Sequence, residues 1–467
     1  MTIIEAIDDP NLFRPMFKNL DTWRAWRVVL KALFALPMTE EDVVLFRQLT
    51  GRSTPPTEQA QECWFVVGRR GGKSFIVALI AVFLACFRDY TACLGPGERG
   101  VVMVIATDRK QARVIMRYVT ALLQAVPMLT AMMLRQDAES VDLDNAVTIE
   151  ITTASYRTIR GYTVLAALCD EMAFWRSEDS ANPAEEILSA LRPAMATIPG
   201  AMLLGLSSPY KRSGPLYENY RKHYGHDDSP VLVIQADTRT MNPSVPQRVI
   251  DRAMELDPVA ATAEYLAQFR SDVGTFLDAE LVSRAVEPGR RERAPSHRRY
   301  HAFCDPSGGA HDRFTLAIAH AEGNRMVLDL CRGISPPFDP SVVVKEFARV
   351  LTSYRCSTVT GDRYAGEWVR ESFQQQGITY WHSERTKSEI YLESVPLFTT
   401  EAVDLLDYQP LIIELQQLER RTARSGRDSV DHPPSGHDDY ANAACGALVL
   451  SAQQEKHTVS MVKLIGV

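Results

Sequence analysis

Gly68-Arg69-Arg70-Gly71-Gly72-Lys73-Ser74 stands between a short apolar run, Trp64 to Val67, and a long apolar stretch that begins at Phe75. Glycines at a strand-to-helix turn let successive backbone N–H groups close around phosphate oxygens. In that geometry Lys73 reaches the β and γ phosphates of ATP, and the Ser74 hydroxyl ligates Mg2+. The usual pattern places a glycine five residues before the Gly-Lys pair. Here Val67 holds that position and the glycine follows one residue later, so the loop is a deviant phosphate loop.

A second element is needed to complete this chemistry. Val164 to Cys169 is an apolar run that ends in Asp170-Glu171. Asp170 is placed to hold the Mg2+ shell and Glu171 to polarise the attacking water. An apolar run ending in Asp-Glu is common by itself; its occurrence after a phosphate loop gives it meaning. Ala201 to Leu206 ends in Ser207-Ser208-Pro209. Its hydroxyls are candidates for sensing the γ-phosphate, against a plain turn closed by Ser-Pro.

In this order the motifs resemble those of the large terminase subunit of tailed bacteriophages, a DNA-packaging ATPase and nuclease. The similarity rests on Gly68-Arg69-Arg70-Gly71-Gly72-Lys73-Ser74, on Ile159-Arg160-Gly161-Tyr162 ahead of the Asp-Glu pair, and on Leu206-Ser207-Ser208-Pro209. Met241-Asn242-Pro243, then Glu264-Tyr265 and Phe269, resembles that family's approach to its interdomain linker. The resemblance implies an N-terminal P-loop domain of the ASCE/RecA-like class and a C-terminal RNase H-like nuclease domain, both α/β. By the same match Arg69 corresponds to a catalytic arginine, whose charge would stabilise the phosphoryl-transfer transition state. Arg70 is a second candidate, and the sequence does not choose between them.

The carboxylates of the second half are compatible with the implied nuclease. Two-metal phosphodiester cleavage needs several acids converging on Mg2+ or Mn2+, and hard cations take such oxygen ligands. Asp305 ends the strand-like run Tyr300 to Cys304, and Asp362 ends Thr358 to Gly361. Asp438 and Asp439 open the last helical stretch, with a preference for Asp439 as the direct ligand. Asp312 is an accessory candidate and His437 a candidate ligand or proton shuttle. Each has a plainer reading: helix cap for the Asp438-Asp439 pair, turn residue for Asp305, ion pair with Arg363 or Arg385 for Asp362, and solvated loop side chain for His437.

The elements that must position these groups are legible as patterns. Residues 1 to 50 read as helical, with Trp23, Trp26, Val29, Leu30 and Leu33 at helical spacing. From Trp64 to about 210, strand-like runs (64–67, 101–106, 147–152, 164–169, 201–206) alternate with helical stretches such as 73–87 and 108–126. That alternation predicts a mainly parallel sheet covered by helices. Residues 284–299 carry six arginines with Pro288-Gly289 and Pro295. They read as a linker between an ATPase domain over 1–283 and a nuclease domain over 300–467. Further strands are expected over 300–304, 314–320, 325–331 and 358–360, and a helix from His437 to Ser451.

The 467 residues are 46% hydrophobic and 23% charged, which excludes bulk disorder, collagen and coiled coil. The longest apolar run, Phe75 to Phe87, is too short to span a bilayer, and the first residues lack a secretory pattern, so a cytoplasmic protein is expected. None of the eight cysteines has CxxC spacing, and they read as buried apolar groups. The net charge of −7 argues against a generic polycationic coat. The arginines of 284–299 and Arg420, Arg421, Arg424 and Arg427 are local candidates for phosphate contacts, or equally a solvated face. The resemblance implies double-stranded DNA, a small terminase subunit and a portal protein as partners, with a ring of copies on the procapsid. A helicase-like or repair ATPase, or an inactive prophage subunit, are the alternative readings.

Overall fold

The computed structural model describes residues 1–154, 159, 161–175, 180, 182–310, 312–362, 367–422, 428–434 and 436–465, with side chains up to 453. The chain forms two compact units. The first holds Met1–Ser177 and Asn182–Ser271, and the second holds Asp272–Val467 with Glu178–Ala181.

The first unit is built on eight strands: β1 (Glu62–Val67), β2 (Gly100–Ala106), β3 (Met133–Gln136), β4 (Ser140–Leu143), β5 (Val147–Thr153), β6 (Thr163–Asp170), β7 (Met202–Ser207) and β8 (Val231–Ala236). Their order is β3-β4-β5-β2-β6-β7-β1-β8. The six strands from β5 to β8 pair in parallel, and only the β3-β4-β5 edge is antiparallel. β2 and β6 are buried almost throughout, as the continuous Val/Ile/Leu runs of a sheet covered on both faces require. The helix Lys73–Phe87 leaves the C-terminal end of β1 and is apolar on nearly every side, which fits a helix enclosed by the core rather than one lying on the surface. Asp108 caps the helix Arg109–Gln124 by accepting from the N–H groups of Lys110 and Gln111. One strand, β7, lies between the loop-bearing β1 and the acid-bearing β6, which is the ASCE arrangement.

The second unit contains β9 (Val273–Thr275), β10 (Val286–Glu287), β11 (Tyr300–Asp305), β12 (Phe314–Glu322), β13 (Arg325–Ile334), β14 (Thr358–Gly361), β15 (Thr379–His382), β16 (Val403–Leu406), β17 (Glu419–Thr422) and β18 (Asp428–Asp431). Seven of them form one sheet in the order β10-β16-β13-β12-β11-β14-β15. β11, β12 and β13 form an antiparallel meander, and β14 and β15 add in parallel beside β11. This is the RNase H-like α/β arrangement. The helix Asp439–Ile465 packs on the sheet so closely that a Cβ on Gly446 would stand 2.3 Å from Cγ of Phe303. All eight cysteines are free, and six of them are buried. No helix among the described residues is long and apolar enough to cross a membrane.

The strands expected from the sequence all occur, most of them extended by a residue or two. The short strands β3, β4, β8, β9, β10, β15, β16, β17 and β18 lie outside the sequence expectation; all but β8 have four residues or fewer, too short for a periodic pattern to stand out. The last helix starts at Asp439 and continues past Ser451 to Ile465. The passage between units differs from the expected 284–299 linker. The second unit already begins at Asp272, because β9 pairs with β17 and Phe276, Leu277 and Val282 enter its core. Residues 284–299 lie along that unit: β10 pairs with β16, and the Arg293 N–H donates to the Asp329 carbonyl at 2.8 Å. Prolines, glycine and charge made this stretch resemble a linker, but backbone pairing holds it to the sheet. A fragment starting at Asp272 is therefore expected to unfold in one cooperative transition. A fragment starting at 296 loses Phe276, Leu277 and Val282 and should melt at lower temperature. Equal melting temperatures of the two fragments by calorimetry would contradict this boundary.

Candidate functional sites

In the first unit the phosphate loop and the acidic strand end meet. Lys73 is 5% exposed, and its Nζ lies 3.2 Å from Glu171 Oε1. The same ammonium donates to the Ser208 hydroxyl at 3.0 Å and to the Val67 carbonyl at 3.1 Å. Glu171 Oε2 accepts from the Ser207 hydroxyl and the Ser208 N–H, both at 3.2 Å. Glu171 has φ 49°, a left-handed conformation uncommon for such a residue. The turn aims its carboxylate across the end of β7 towards Lys73.

Asp170, the last residue of β6, is fully buried. Its Oδ2 accepts from Gln111 Nε2 at 3.2 Å and from the Ser74 hydroxyl at 3.4 Å. Its Oδ1 is buried without a hydrogen-bond partner. Burial, and then the neighbouring Glu171 charge, raise its pKa above the usual carboxylate range, while Lys73 opposes them. A hard cation between Ser74 and Asp170 would satisfy the orphaned oxygen, so these residues fit Mg2+.

The loop itself is held by residues that sequence patterns assigned elsewhere. The Arg69 N–H donates to the Glu264 carbonyl at 2.6 Å, and the Arg69 guanidinium lies 3.3 Å from the Glu264 carboxylate. Thr238 donates to the Arg69 carbonyl at 2.7 Å and Asn242 to the Arg70 carbonyl at 2.8 Å. Trp26 Nε1 donates to the Gly71 carbonyl at 2.6 Å. Asn242 and Glu264, read from the sequence as part of the approach to a linker, thus stand at the phosphate loop. Gly68 is required there: a Cβ would lie 2.5 Å from the Thr238 hydroxyl and 2.7 Å from the Tyr265 carbonyl. Of the Ile159-Arg160-Gly161-Tyr162 motif, Arg160 lies outside the described residues. Ile159 is buried, and the Tyr162 hydroxyl donates to Glu150 at 3.1 Å.

In the second unit Asp305 ends β11 and Asp362 directly follows β14, the adjacent parallel strand. The start of the helix Asp439–Ile465 lies beside Asp305, whose Oδ2 accepts from Asn442 Nδ2 at 2.8 Å. Asn442 follows Asp439 by three positions, which puts both on one helix face. The neighbouring acids are not equivalent. Asp438 is bound by Lys387 Nζ at 2.9 Å and by the Tyr391 hydroxyl at 2.8 Å. Asp439 keeps a buried Oδ2 without a hydrogen-bond partner, 4.0 Å from both Arg313 Nη1 and His437 Nδ1. Burial raises the Asp439 pKa, with the Asp438 charge adding to it. Asp312 is exposed and contributes a further negative charge near Asp439.

Burial pushes the Asp305 carboxyl up to about 8, against the Asn442 hydrogen bond and with the charges of Asp439, Asp438 and Asp362 adding to it. Burial likewise pushes Glu414, which accepts from the Ala441 N–H at 2.9 Å, up to about 8. Among the described residues no three acid, histidine or cysteine side chains close into a metal cage. The set does have the chemistry a hard cation takes: repelling carboxylates at two strand ends and a buried oxygen on Asp439 without a partner.

The expected basic surfaces are largely neutralised within the unit. Arg284 pairs with Glu401, Arg290 and Arg293 with Glu287, and Arg298 with Glu322. Arg420 pairs with Asp428, and Arg421 donates to the His432 carbonyl. Arg363, Arg424 and Arg427 lie outside the described residues.

The raised Asp305 pKa has a signed consequence. A carboxyl whose folded pKa is near 8 and whose unfolded value is about 3.9 makes the metal-free fold less stable as pH rises between them. A cation that needs the carboxylate reverses that trend. The rise in melting temperature caused by Mn2+ should therefore be small at pH 6 and grow through pH 8, and Asp305→Asn should flatten the dependence. An equal Mn2+ effect at pH 6 and 9 in both proteins would remove Asp305 from the cation site.

No family model matches the sequence, and no curated protein matches it. Among solved structures, the chain is similar to the large terminase of bacteriophage HK97, at 15% identity over 91% of this chain and 99% of that one, with a TM-score of 0.38. It is similar to the large terminase of a thermophilic bacteriophage in complex with ADP, at 12% identity over 91% and 98%, with a TM-score of 0.39. Its similarity to the large terminase nuclease of the thermophilic phage G20c with bound magnesium is 17% identity over 37% and 95%, with a TM-score of 0.31.

Proposed function

We propose that the chain is a large terminase subunit, in which ATP hydrolysis in the first unit drives double-stranded DNA into a procapsid and a metal-dependent endonuclease in the second cuts it. The observation that carries this reading is the meeting of Lys73, Ser74, Asp170, Glu171 and Ser208 at one place in the first unit. These residues come from three separate strand ends, and together they supply what phosphoryl transfer to water requires.

In this reading the Lys73 ammonium exchanges part of its contact with Glu171 and the loop carbonyls for phosphate oxygens. Glu171 is then released to orient a water and take its proton. Ser207 and Ser208, bonded to Glu171, feel whether that carboxylate faces Lys73 or the water. Arg69 or Arg70 offsets the charge that spreads over the γ-phosphate oxygens. Ser74 and Asp170 are the residues that would hold Mg2+, and the ion would supply neutralisation of phosphate charge.

In the second unit Asp305, Asp362 and Asp439 are the residues that would hold Mg2+ or Mn2+, and such ions stabilise the attacking and leaving oxygens of a phosphodiester. Asp438 positions the helix start through Lys387 and Tyr391. Asn442 orients Asp305. Without a base-reading motif, DNA is gripped through its phosphates, as a motor that moves over any sequence requires. Arg291 and Arg299 make no ion pair among the described residues and are the arginines of 284–299 free for that contact. The partners of this reading are the small subunit, the portal and further copies of the chain in a ring, in the host cytoplasm.

Paired ATPase and plasmid-cleavage assays separate the two activities. Glu171→Gln should bind nucleotide but lose roughly 10²- to 10⁴-fold in hydrolysis, because an amide takes no proton. Lys73→Ala should weaken nucleotide binding itself. Asp305→Ala and Asp362→Ala should abolish cleavage and leave ATP turnover intact, and Asp439→Ala should lose more cleavage than Asp438→Asn. Near-normal hydrolysis by Glu171→Gln, or full plasmid cleavage by Asp305→Ala in a nuclease-free preparation, would sink the corresponding assignment.

A further inference from the structure

Arg70 sits at the tip of the phosphate loop with φ 62°. This left-handed region is open to glycine but costs an L-residue with a Cβ. Something must hold it there, and the contacts of the loop show what does. The Arg70 carbonyl accepts from Asn242 Nδ2 at 2.8 Å. The orientation of that amide is fixed, because its Oδ1 accepts from the Ser244 N–H at 3.2 Å and from the Ser244 hydroxyl, which leaves the NH2 group for Arg70. Asn242 is itself placed by the short helix Thr238–Met241: its N–H donates to the Thr238 carbonyl at 2.8 Å, and Asp237 caps the helix start. The same strap supplies the Thr238 hydroxyl to the Arg69 carbonyl. Both carbonyls at the loop tip are thereby occupied from outside the loop. The N–H groups at the start of the helix Lys73–Phe87 have no intrahelical partner and remain for an anion.

We propose that Asn242 is a positioning residue for the phosphate loop: its side-chain N–H latches Arg70 in the left-handed conformation that turns the loop amides towards a nucleotide's phosphates. The inference deepens the proposed ATPase reading and rests on it for its kinetic consequence, but its structural core is testable without turnover. A glycine at position 70 needs no latch, so Asn242 and Arg70 should be coupled in one direction.

The test uses the full chain with Asn242→Ala, Asn242→Asp, Arg70→Gly and the Arg70→Gly/Asn242→Ala double variant. Asn242→Asp keeps the size and the Ser244 contact but cannot donate. Amide hydrogen exchange of peptides covering 66–76 should quicken about tenfold in Asn242→Ala and in Asn242→Asp, the order expected for losing a left-handed restraint. Adding Asn242→Ala to Arg70→Gly should bring no further increase. In steady-state assays Asn242→Ala should raise KM for ATP and weaken binding of a fluorescent ADP analogue about tenfold, with a smaller change in kcat. Wild-type exchange in Asn242→Asp, or equal acceleration by Asn242→Ala in both backgrounds, overturns the latch. A wild-type chain that binds and hydrolyses no ATP overturns the proposed function instead, and hydrogen exchange still decides the latch.

Discussion

A lysine ammonium enclosed by protein is costly unless opposite charge and hydrogen-bond acceptors surround it. Lys73 is 5% exposed and is compensated by Glu171, Ser208 and the loop carbonyls. The first unit depends on that arrangement. β1 must end where β6 and β7 end, so the parallel register of three strands is needed to deliver the lysine, the carboxylate and the hydroxyl together. The left-handed turn at Glu171 follows from the same need, since an extended residue there would carry the carboxylate onward along the strand. Removing the Glu171 charge leaves the buried Lys73 ammonium without its opposite charge, whereas Glu171 is partly exposed and keeps its bonds to Ser207 and Ser208 when Lys73 is lost.

The second unit meets a related constraint with like charges. The charges of Asp439, Asp438 and Asp362 all act against ionisation of Asp305, and its burial raises that cost. Part of it is offset by neutral and cationic donors: Asn442 on Asp305, and Lys387 with Tyr391 on Asp438. What remains is expressed as the raised carboxyl of Asp305 and the unpartnered oxygen of Asp439. A surface ion pair would relax by rotating into water. Here the helix start and strand ends are fixed by the packing of Gly446 against Phe303, so the tension stays in the site.

Residues 284–299 show how composition can mislead about architecture. Prolines, a glycine and arginines are what a solvated connection carries, yet this segment gives β10 to the sheet edge, and Val282 just before it enters the second core. Its arginines find carboxylates along the way: Arg284 meets Glu401, and Arg298 meets Glu322. The charge that suggested a nucleic-acid stripe is in good part spent on holding the arm to its own domain.

Sequence alone determined the local grammar. A glycine-rich turn between β1 and an apolar helix, an acid pair closing β6, and aspartates ending β11 and β14 are each encoded by a few adjacent residues. Their chemistry follows from residue type. What only the tertiary structure supplied was the difference in surroundings between adjacent acids. Asp438 and Asp439 are adjacent in sequence, but successive helical residues point in different directions, so one meets Lys387 and Tyr391 while the other lies 4.0 Å from Arg313 and His437. Asn442, one helical turn on, was within reach of a spacing argument from Asp439. Gln111, Thr238, Asn242 and Glu264 were not, because their roles at the loop and acid site depend on chain segments far apart in sequence. The same reason moved the start of the second unit to Asp272: the pairing of β9 with β17 joins distant segments, and no local pattern records it.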